Sequence, residues 1–214
     1  MTGAPTAVLL DVGETLWDET SLWQGWADFL GVSLVTVAGV LGGMVAQGRD
    51  HRELLSVLRP GEDWDVLVAA KPPVKLTAAD LYHDALPCLH ELADNGWQLV
   101  VGGNQPASFQ ALVEALDLPV DLVVSSGTLG ATKPSPDFFT RACAVAGVEA
   151  QRCVSVGDRV DNDVVPALAV GMTAVHVRRG PWGMLYRDDP ALQHPRAHQV
   201  GGLAELPTLL RSLR

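Results

Sequence analysis

Short apolar runs recur along this chain of 214 residues, and each of them ends at turn or polar residues. A short run that is apolar at every position is typical of a strand buried on both faces of a sheet. The pattern predicts five strands, at Ala7–Leu10, Gln98–Val101, Leu122–Ser125, Cys153–Val156 and Ala174–Val177.

Helical patterns occupy the stretches between these runs. The clearest covers residues 136–146, where a proline in the first turn and Gly147 after the last residue indicate a helix start and end. Similar patterns predict helices at residues 87–95, 106–116, 160–170 and 203–213, whereas residues 178–182 are expected to form a surface turn. Strands that alternate with helices favour an α/β fold, a doubly wound parallel sheet with helices on both faces.

Residues 18–83 interrupt this alternation. They show helical patterns at residues 22–30, 33–46 and 51–58, and no run among them predicts a strand. We therefore expect two domains. Residues 1–17 and 84–214 would form the α/β core, and residues 18–83 would form a small all-helical domain.

The net charge of the chain limits the kinds of partner that it is expected to bind. Hydrophobic residues make up 48% of the sequence, which is enough for a substantial core and argues against a disordered chain. The 25 acidic and 15 basic residues give a formal net charge of −10, which repels nucleic acid and anionic membranes at long range. The expected partner is a small molecule, with no nucleic acid and no membrane involved.

The sequence also indicates a compartment. It contains no apolar run long enough to span a membrane, and its first residues lack the basic segment of a signal peptide. The three cysteines, Cys88, Cys143 and Cys153, are widely spaced and match no metal-binding pattern, which is typical of reduced thiols. We expect a cytoplasmic protein.

Polar residues follow several predicted strands at their carboxyl ends, where parallel α/β sheets place their functional groups. Asp11 follows the first strand, Asn104 comes soon after the second, and Asp158 follows the fourth. Asp163 would lie in the first turn of the next helix, and two carboxylates so placed favour a hard cation. Lys133, one of only three lysines, precedes a proline-started helix and would bring positive charge to the same edge of the sheet.

In order and spacing, these residues resemble the four motifs of the haloacid dehalogenase superfamily. The corresponding segments are Asp11-Val-Gly-Glu-Thr15, Gly103-Asn104, Lys133-Pro-Ser-Pro136, and Gly157-Asp158 with Asp163. The resemblance covers residues 8–16 and about 86–177. It implies a Rossmann-like core, with the all-helical domain as a cap inserted after the first motif.

The resemblance implies a phosphatase that acts on a small phosphorylated metabolite with Mg²⁺ as its cofactor. Asp11 would be the nucleophile and form an aspartyl-phosphate. Lys133 would neutralise charge in the site, and it would bind the phosphoryl group together with Gly103 and Asn104. The implied Mg²⁺ ligands are Asp11, the backbone carbonyl of Gly13, Asp158 and Asp163.

Two positions depart from the pattern of the superfamily. Its phosphatases carry a second aspartate, two residues after the nucleophile, which protonates the leaving oxygen and later activates water; this sequence has Gly13 there. Loss of such an acid–base group costs about 10²–10⁴-fold in rate. Gly103 likewise lacks the hydroxyl that usually binds the phosphoryl group. We expect a slow phosphatase, unless Glu14 or a residue of the cap takes over the missing role.

Three other functions stay open at this point. A binding module with little or no turnover would account for both glycines. A carbon–halogen hydrolase needs neither a leaving-group proton nor a metal, but it gives no reason for the pair Asp158 and Asp163. A phosphonate hydrolase would need a cap lysine as a Schiff base, for which Lys71 and Lys75 are the candidates.

Overall fold

Six strands form one parallel sheet in the computed structural model, which describes residues 4–72 and 77–214. They lie side by side in the order β3-β2-β1-β4-β5-β6. Their bounds are β1 (Ala7–Leu10), β2 (Gln98–Gly103), β3 (Leu122–Ser125), β4 (Cys153–Gly157), β5 (Thr173–Val177) and β6 (Ala197–Val200). The α/β fold class with a doubly wound parallel sheet is confirmed.

The described residues also form eleven α-helices. Four of them belong to the stretch predicted as all-helical: α1 (Thr20–Leu30), α2 (Leu34–Ala46), α3 (Leu54–Leu58) and α4 (Trp64–Ala70). The others accompany the sheet: α5 (Ala85–Asp94), α6 (Phe109–Ala115), α7 (Ser126–Leu129), α8 (Pro136–Ala146), α9 (Val165–Ala169), α10 (Gly180–Leu185) and α11 (Leu206–Ser212).

The centre of the sheet is formed by β1, all of whose side chains are buried. Because side chains alternate along a strand, its residues contribute to both faces. Ala7 and Leu9 join a buried cluster that includes Phe138 and Phe139 of α8. The strand pairs with β2 on one side and with β4 on the other. The strand order therefore reverses between β1 and β4, which places the usual ligand crevice of this fold class beyond their carboxyl ends.

The chain divides into two compact units. One consists of Met1–Asp18 and Leu81–Arg214 and contains the sheet; we call it the core unit. The other, Glu19–Asp80, contains α1 to α4 and is called the helical unit. Among the described residues, no single helix is both long and apolar enough to cross a membrane, although α1 and α2 together pass that test with a bend of 111° between them.

Local sequence signals account for several element ends. The hydroxyl of Ser135 accepts a hydrogen bond from the backbone N–H of Asp137 at the start of α8, and Pro136 occupies the first turn. Gly147 ends the same helix with a φ of 69°, the left-handed conformation that glycine adopts without strain. This helix has the predicted bounds, as do β1 and β3.

Other expectations fail for identifiable reasons. The predicted helix at residues 160–170 is a π-helical turn at Val160–Val164 followed by α9, because Pro166 cannot donate the backbone hydrogen bond that a continuous helix requires. The strand β6 escaped prediction because its residues Ala-His-Gln-Val form no apolar run, and three of the four are not buried. The expected surface turn at residues 178–182 is wrong: α10 begins there, and both Arg179 and Trp182 are buried.

Candidate active site

The predicted site residues of the core unit lie at the carboxyl ends of its central strands. Asp11 directly follows β1, and its backbone N–H donates to the carbonyl of Val156 on β4. Asp158 directly follows β4 and is buried. These two strands flank the point where the strand order reverses. The fold itself therefore brings two acids together that are far apart in the sequence.

Lys133 joins these acids. Its Nζ donates to Oδ1 of Asp11 and to Oδ1 of Asp163, at 2.7 Å in each case. The side chains of Lys133 and Asp163 are each 1% exposed, and that of Asp11 is 13% exposed. A lysine with almost no access to water is stable in its charged form only when carboxylates accompany it. The structure thus forms a buried ion cluster of one lysine and two aspartates.

Burial and the neighbouring charges together shift the pKa values of Lys133 and Asp163. Burial disfavours the ammonium of Lys133, but the carboxylates of Asp11 and Asp163 outweigh it and hold the pKa of Lys133 above its usual range. Burial, together with the negative charge of Asp11, raises the pKa of Asp163 to about 6, although Lys133 opposes this shift. Negative charge is therefore in excess in this part of the site.

The carboxylates meet the requirements of a hard cation. One oxygen each from Asp11, Asp158 and Asp163 can be chosen so that all three lie within 4.8 Å of one another. Three carboxylates and one ammonium leave a net charge of −2, which a divalent cation would balance. Magnesium prefers such oxygen ligands and keeps several waters besides them. The donor set therefore fits the predicted Mg²⁺, and the expected part of the Gly13 carbonyl stays a prediction.

The carboxylate of Asp163 packs directly against the backbone of Gly157. A Cβ atom on this glycine would lie 2.3 Å from Cγ of Asp163, so the carboxylate occupies space that a side chain would fill. The backbone N–H of Arg159 donates to Oδ2 of Asp163 at 3.1 Å, and the hydroxyl of Ser155 donates to its backbone carbonyl. Nε2 of His176 on β5 is 3.0 Å from the carbonyl of Asp158 and steadies that peptide.

Asn104 has a different environment from the one expected. Its Nδ2 donates to the carbonyl of Lys133 at 2.9 Å, and its Oδ1 accepts from the N–H of Lys133 at 2.8 Å. Both ends of its amide thus hold the loop of Lys133 in position. At Gly103, a Cβ atom would lie 3.3 Å from Oδ1 of Asp11 and 3.2 Å from Cγ2 of Val12, so the glycine lets the backbone of β2 pack closely against this carboxylate and its neighbour.

Sequence reasoning missed a second group of polar residues in the core unit, of which Tyr82 is half-buried and the others are buried. Arg179 pairs with Asp84, donates to the carbonyl of Thr15 at 3.1 Å, and places its guanidinium 4.2 Å from the ring centre of Tyr82. The hydroxyl of Tyr82 donates to Oε2 of Glu14. Burial and the acceptor Glu14 raise the pKa of Tyr82 above its usual range. We call Glu14, Tyr82, Asp84 and Arg179 the loop network, because it holds the segment that follows Asp11.

Of the two lysines proposed for a Schiff base, the structure describes Lys71. The ammonium of Lys71 is 5.0 Å from the ring centre of Trp26, within the helical unit. Burial lowers the pKa of Lys71. Lys75 lies outside the described residues. The contacts of Lys71 are those of a lysine packed on an aromatic ring of its own unit.

Comparison with known proteins agrees with the motif pattern. The family model of haloacid dehalogenase-like hydrolases matches residues 5–171. The chain is 30% identical over 200 residues to the glyceraldehyde 3-phosphate phosphatase of Methanopyrus kandleri, which covers 82% of this chain and 85% of the relative. It is 37% identical over 111 residues to the phosphoglycolate phosphatase of Rhodospirillum rubrum, covering 50% of this chain and 46% of the relative.

Solved structures agree in fold. The L-2-haloacid dehalogenase of Xanthobacter autotrophicus, with chloropropionic acid covalently bound, has a TM-score of 0.69 at 22% identity and covers 98% of this chain and 100% of its own. A haloacid dehalogenase-like hydrolase of Bacteroides fragilis has a TM-score of 0.70 at 19% identity, covering 94% of this chain and 99% of its own. The fold and the comparisons together define a hydrolase. More narrowly, the chain belongs to the haloacid dehalogenase-like hydrolase family, as the motifs predicted.

Proposed function

We propose that this chain is a Mg²⁺-dependent phosphatase of a small phosphorylated metabolite, with Asp11 as the nucleophile. The observation that carries the proposal is the ion cluster, in which Lys133 holds Asp11 at 2.7 Å beside two further aspartates. A carboxylate approaches an anionic phosphoryl group only when nearby positive charge offsets the repulsion. The relatives whose names end in phosphatase support the same chemistry.

Each predicted site residue of the core unit would have a separate role in the proposed reaction. Asp11, exposed more than its partners, would attack the phosphorus atom and form an aspartyl-phosphate. Lys133 would orient this carboxylate and balance charge on the phosphoryl oxygens. Asp158 and Asp163, with Asp11 and the Gly13 carbonyl, would hold Mg²⁺, which when bound supplies electrostatic stabilisation of the transferring oxygens. Asn104 and the backbone N–H groups near Gly103 would hold the phosphoryl oxygens.

We assign the selection of the substrate to the helical unit, which is the role of the cap domain expected at residues 18–83. Its described residues form the separate compact unit Glu19–Asp80. Substitution of its exposed residues, with the residues of the ion cluster left unchanged, tests this role.

A carbon–halogen hydrolase is a weaker candidate for this site. The likeness to dehalogenase structures is a likeness of fold, at 22–24% identity. A reaction without metal gives no reason to bury Asp158 and Asp163 beside the nucleophile, because each buried carboxylate carries a desolvation cost. The site is better explained by phosphoryl transfer.

The test is hydrolysis of 4-nitrophenyl phosphate by the purified chain with and without Mg²⁺. We expect turnover that requires the metal and disappears in Asp11→Asn, which keeps the shape of the side chain. Intact mass after a brief reaction should show a phosphorylated species in the native chain and none in the variant. A chain that binds Mg²⁺ but turns over no member of a broad phosphoester panel would contradict the proposal and favour a binding module.

A further inference from the structure

Glu14 is the acid nearest to Asp11 in sequence within the loop that follows β1, and its surroundings remove it from the reaction. It is 7% exposed and has a φ of 51°, a left-handed conformation that is uncommon for residues other than glycine. Its backbone N–H donates to the carbonyl of Trp17 at 2.7 Å. Its carboxylate accepts the hydroxyl of Tyr82. Backbone and side chain are both fixed.

The other side of Glu14 is closed by the start of α10. A Cβ atom on Gly180 would lie 2.5 Å from Cγ and 2.7 Å from Oε2 of Glu14, so the carboxylate packs directly on this glycine. Arg179, the preceding residue, stacks on Tyr82 and pairs with Asp84. The loop network therefore holds Glu14 between two neighbouring segments of the core unit.

A general acid must reach the leaving oxygen and be free to give its proton there. Glu14 instead accepts the hydrogen bond from the hydroxyl of Tyr82 and packs on Gly180. Two residues after Asp11 the chain has Gly13, which carries no side chain. Within the described part of the core unit, the acids grouped with Asp11 are Asp158 and Asp163, and these form the candidate cation site. None of these groups is therefore placed to protonate the leaving oxygen.

We propose, on the basis of the phosphatase function above, that this site takes substrates whose leaving group departs as a stable anion. These are acyl phosphates, enol and aryl phosphates, and phosphoric anhydrides, in preference to alkyl phosphates. This preference follows from the absence of a side chain at Gly13 and from the position of Glu14 within the loop network.

The two steps balance without a general acid. An oxygen of Asp11 forms a bond to phosphorus, and the bond between phosphorus and the leaving oxygen breaks with its electron pair on that oxygen, which departs unprotonated. Water then adds to the phosphorus of the aspartyl-phosphate, and the bond to Asp11 breaks to restore the carboxylate. The oxygen and both protons of the water leave as dihydrogen phosphate, which equilibrates with the buffer.

The experiment is a leaving-group series with the full chain and Mg²⁺. Substituted phenyl phosphates of similar size are compared with alkyl phosphates, and kcat/KM is plotted against the pKa of the leaving alcohol. We expect a steep fall and alkyl substrates weaker by about 10²-fold or more, the scale of a missing general acid. A flat series would overturn the inference, because it would show that an acid is supplied, and would leave the phosphatase function intact. No turnover of any substrate would instead reject the proposed function itself.

Two variants sharpen the result. Glu14→Gln should change all substrates by the same factor and leave the slope unaltered; a selective loss of alkyl turnover would identify Glu14 as the acid and contradict the inference. Gly13→Asp, confirmed as folded by circular dichroism, should raise alkyl turnover more than aryl turnover and flatten the series. An equal gain on both kinds of substrate would count against the inference. The native series decides the matter if this variant does not fold.

Discussion

The core unit buries some of its charge pairs and exposes others, whereas the charge pairs that the structure describes in the helical unit are all exposed. In the core unit, Lys133 pairs with Asp11 and Arg179 with Asp84, residues separated by 122 and 95 positions, and these side chains are 1–13% exposed. In the helical unit, the pairs Arg49–Glu53, Arg52–Asp50 and Arg59–Glu62 join residues within four positions of each other, and their side chains are 38–62% exposed.

This difference separates buried charges, whose presence stability alone does not explain, from charges that keep a surface polar. An exposed pair contributes at most about 1 kcal/mol to stability. A buried pair loses the hydration of both ions, and apolar residues of similar volume would often serve stability as well or better. The buried cluster at Asp11 is therefore poorly explained by stability alone, and a reaction that needs charge in a dry site explains it.

The largest effect is expected for Lys133→Met. Removal of the ammonium leaves Asp11 and Asp163 without their shared partner, and breaking a buried pair costs about 3–5 kcal/mol. Turnover should be lost at the same time. Urea unfolding and the phosphatase assay measure the two effects. Arg49→Met in the helical unit is the matched control, with a cost of about 1 kcal/mol or less. Equal costs for both variants would contradict the comparison.

A smaller effect is expected when the Arg179–Asp84 pair is removed as a whole. Arg179→Met and Asp84→Asn should each lower the free energy of unfolding, and the double variant should lose less than the sum of the two, because neither partner then stays buried alone. Denaturant unfolding of the four proteins gives the coupling. Additive losses would show that the two side chains act independently.

Magnesium should stabilise the core unit through the aspartates near Asp11. A ligand present at 100 times its Kd adds about 2.7 kcal/mol to the stability of the folded chain. The melting temperature should therefore rise with Mg²⁺, and Asp158→Asn should reduce this rise. Asp50→Asn, an acid of the helical unit, should leave the rise unchanged. A metal response that survives in Asp158→Asn would remove this residue from the proposed ligands.

The last effect concerns pH, and the two units should respond with opposite signs. Folding raises the pKa of Asp163 from 3.8 to about 6, so in metal-free protein its contribution is present below 3.8 and is lost as the pH rises to about 6. The hydrogen bond from Arg52 lowers the pKa of Asp50 from 3.8 to about 2, so its contribution is present above 3.8 and is lost as the pH falls to about 2.

Denaturant unfolding across these two pH ranges measures both slopes. Asp163→Asn should remove the fall in stability between pH 3.8 and about 6. Asp50→Asn should weaken the slope at lower pH by only a small amount, because that pair is exposed to water and screened. Stability that rises with pH in the first range would show that Asp163 is ionised without penalty.

The same contrast, between contacts local in sequence and contacts distant in sequence, explains which features the sequence predicts. Element ends set by neighbouring residues, such as Ser135 and Gly147 around α8, follow from local spacing. Asp11 and Asp158 were found because they directly follow apolar strands. The loop network was missed because Arg179 meets Asp84 and Tyr82 only after folding, and nothing near Arg179 in the sequence marks it as buried. The contact between the amide of Asn104 and the backbone of Lys133 could not be predicted for the same reason, since it spans 29 positions.

The contact between Gly157 and Asp163 has a consequence for mutational libraries of this chain. The carboxylate of Asp163 stands where a side chain at position 157 would begin, with 2.3 Å between Cγ and the would-be Cβ. Any library that varies position 157 alone will therefore recover glycine among its active clones. A second library in which position 163 is first reduced to glycine should accept alanine or serine at position 157 with little further loss of stability. Tolerance at one site is thus set by the residue at the other, although six positions separate them.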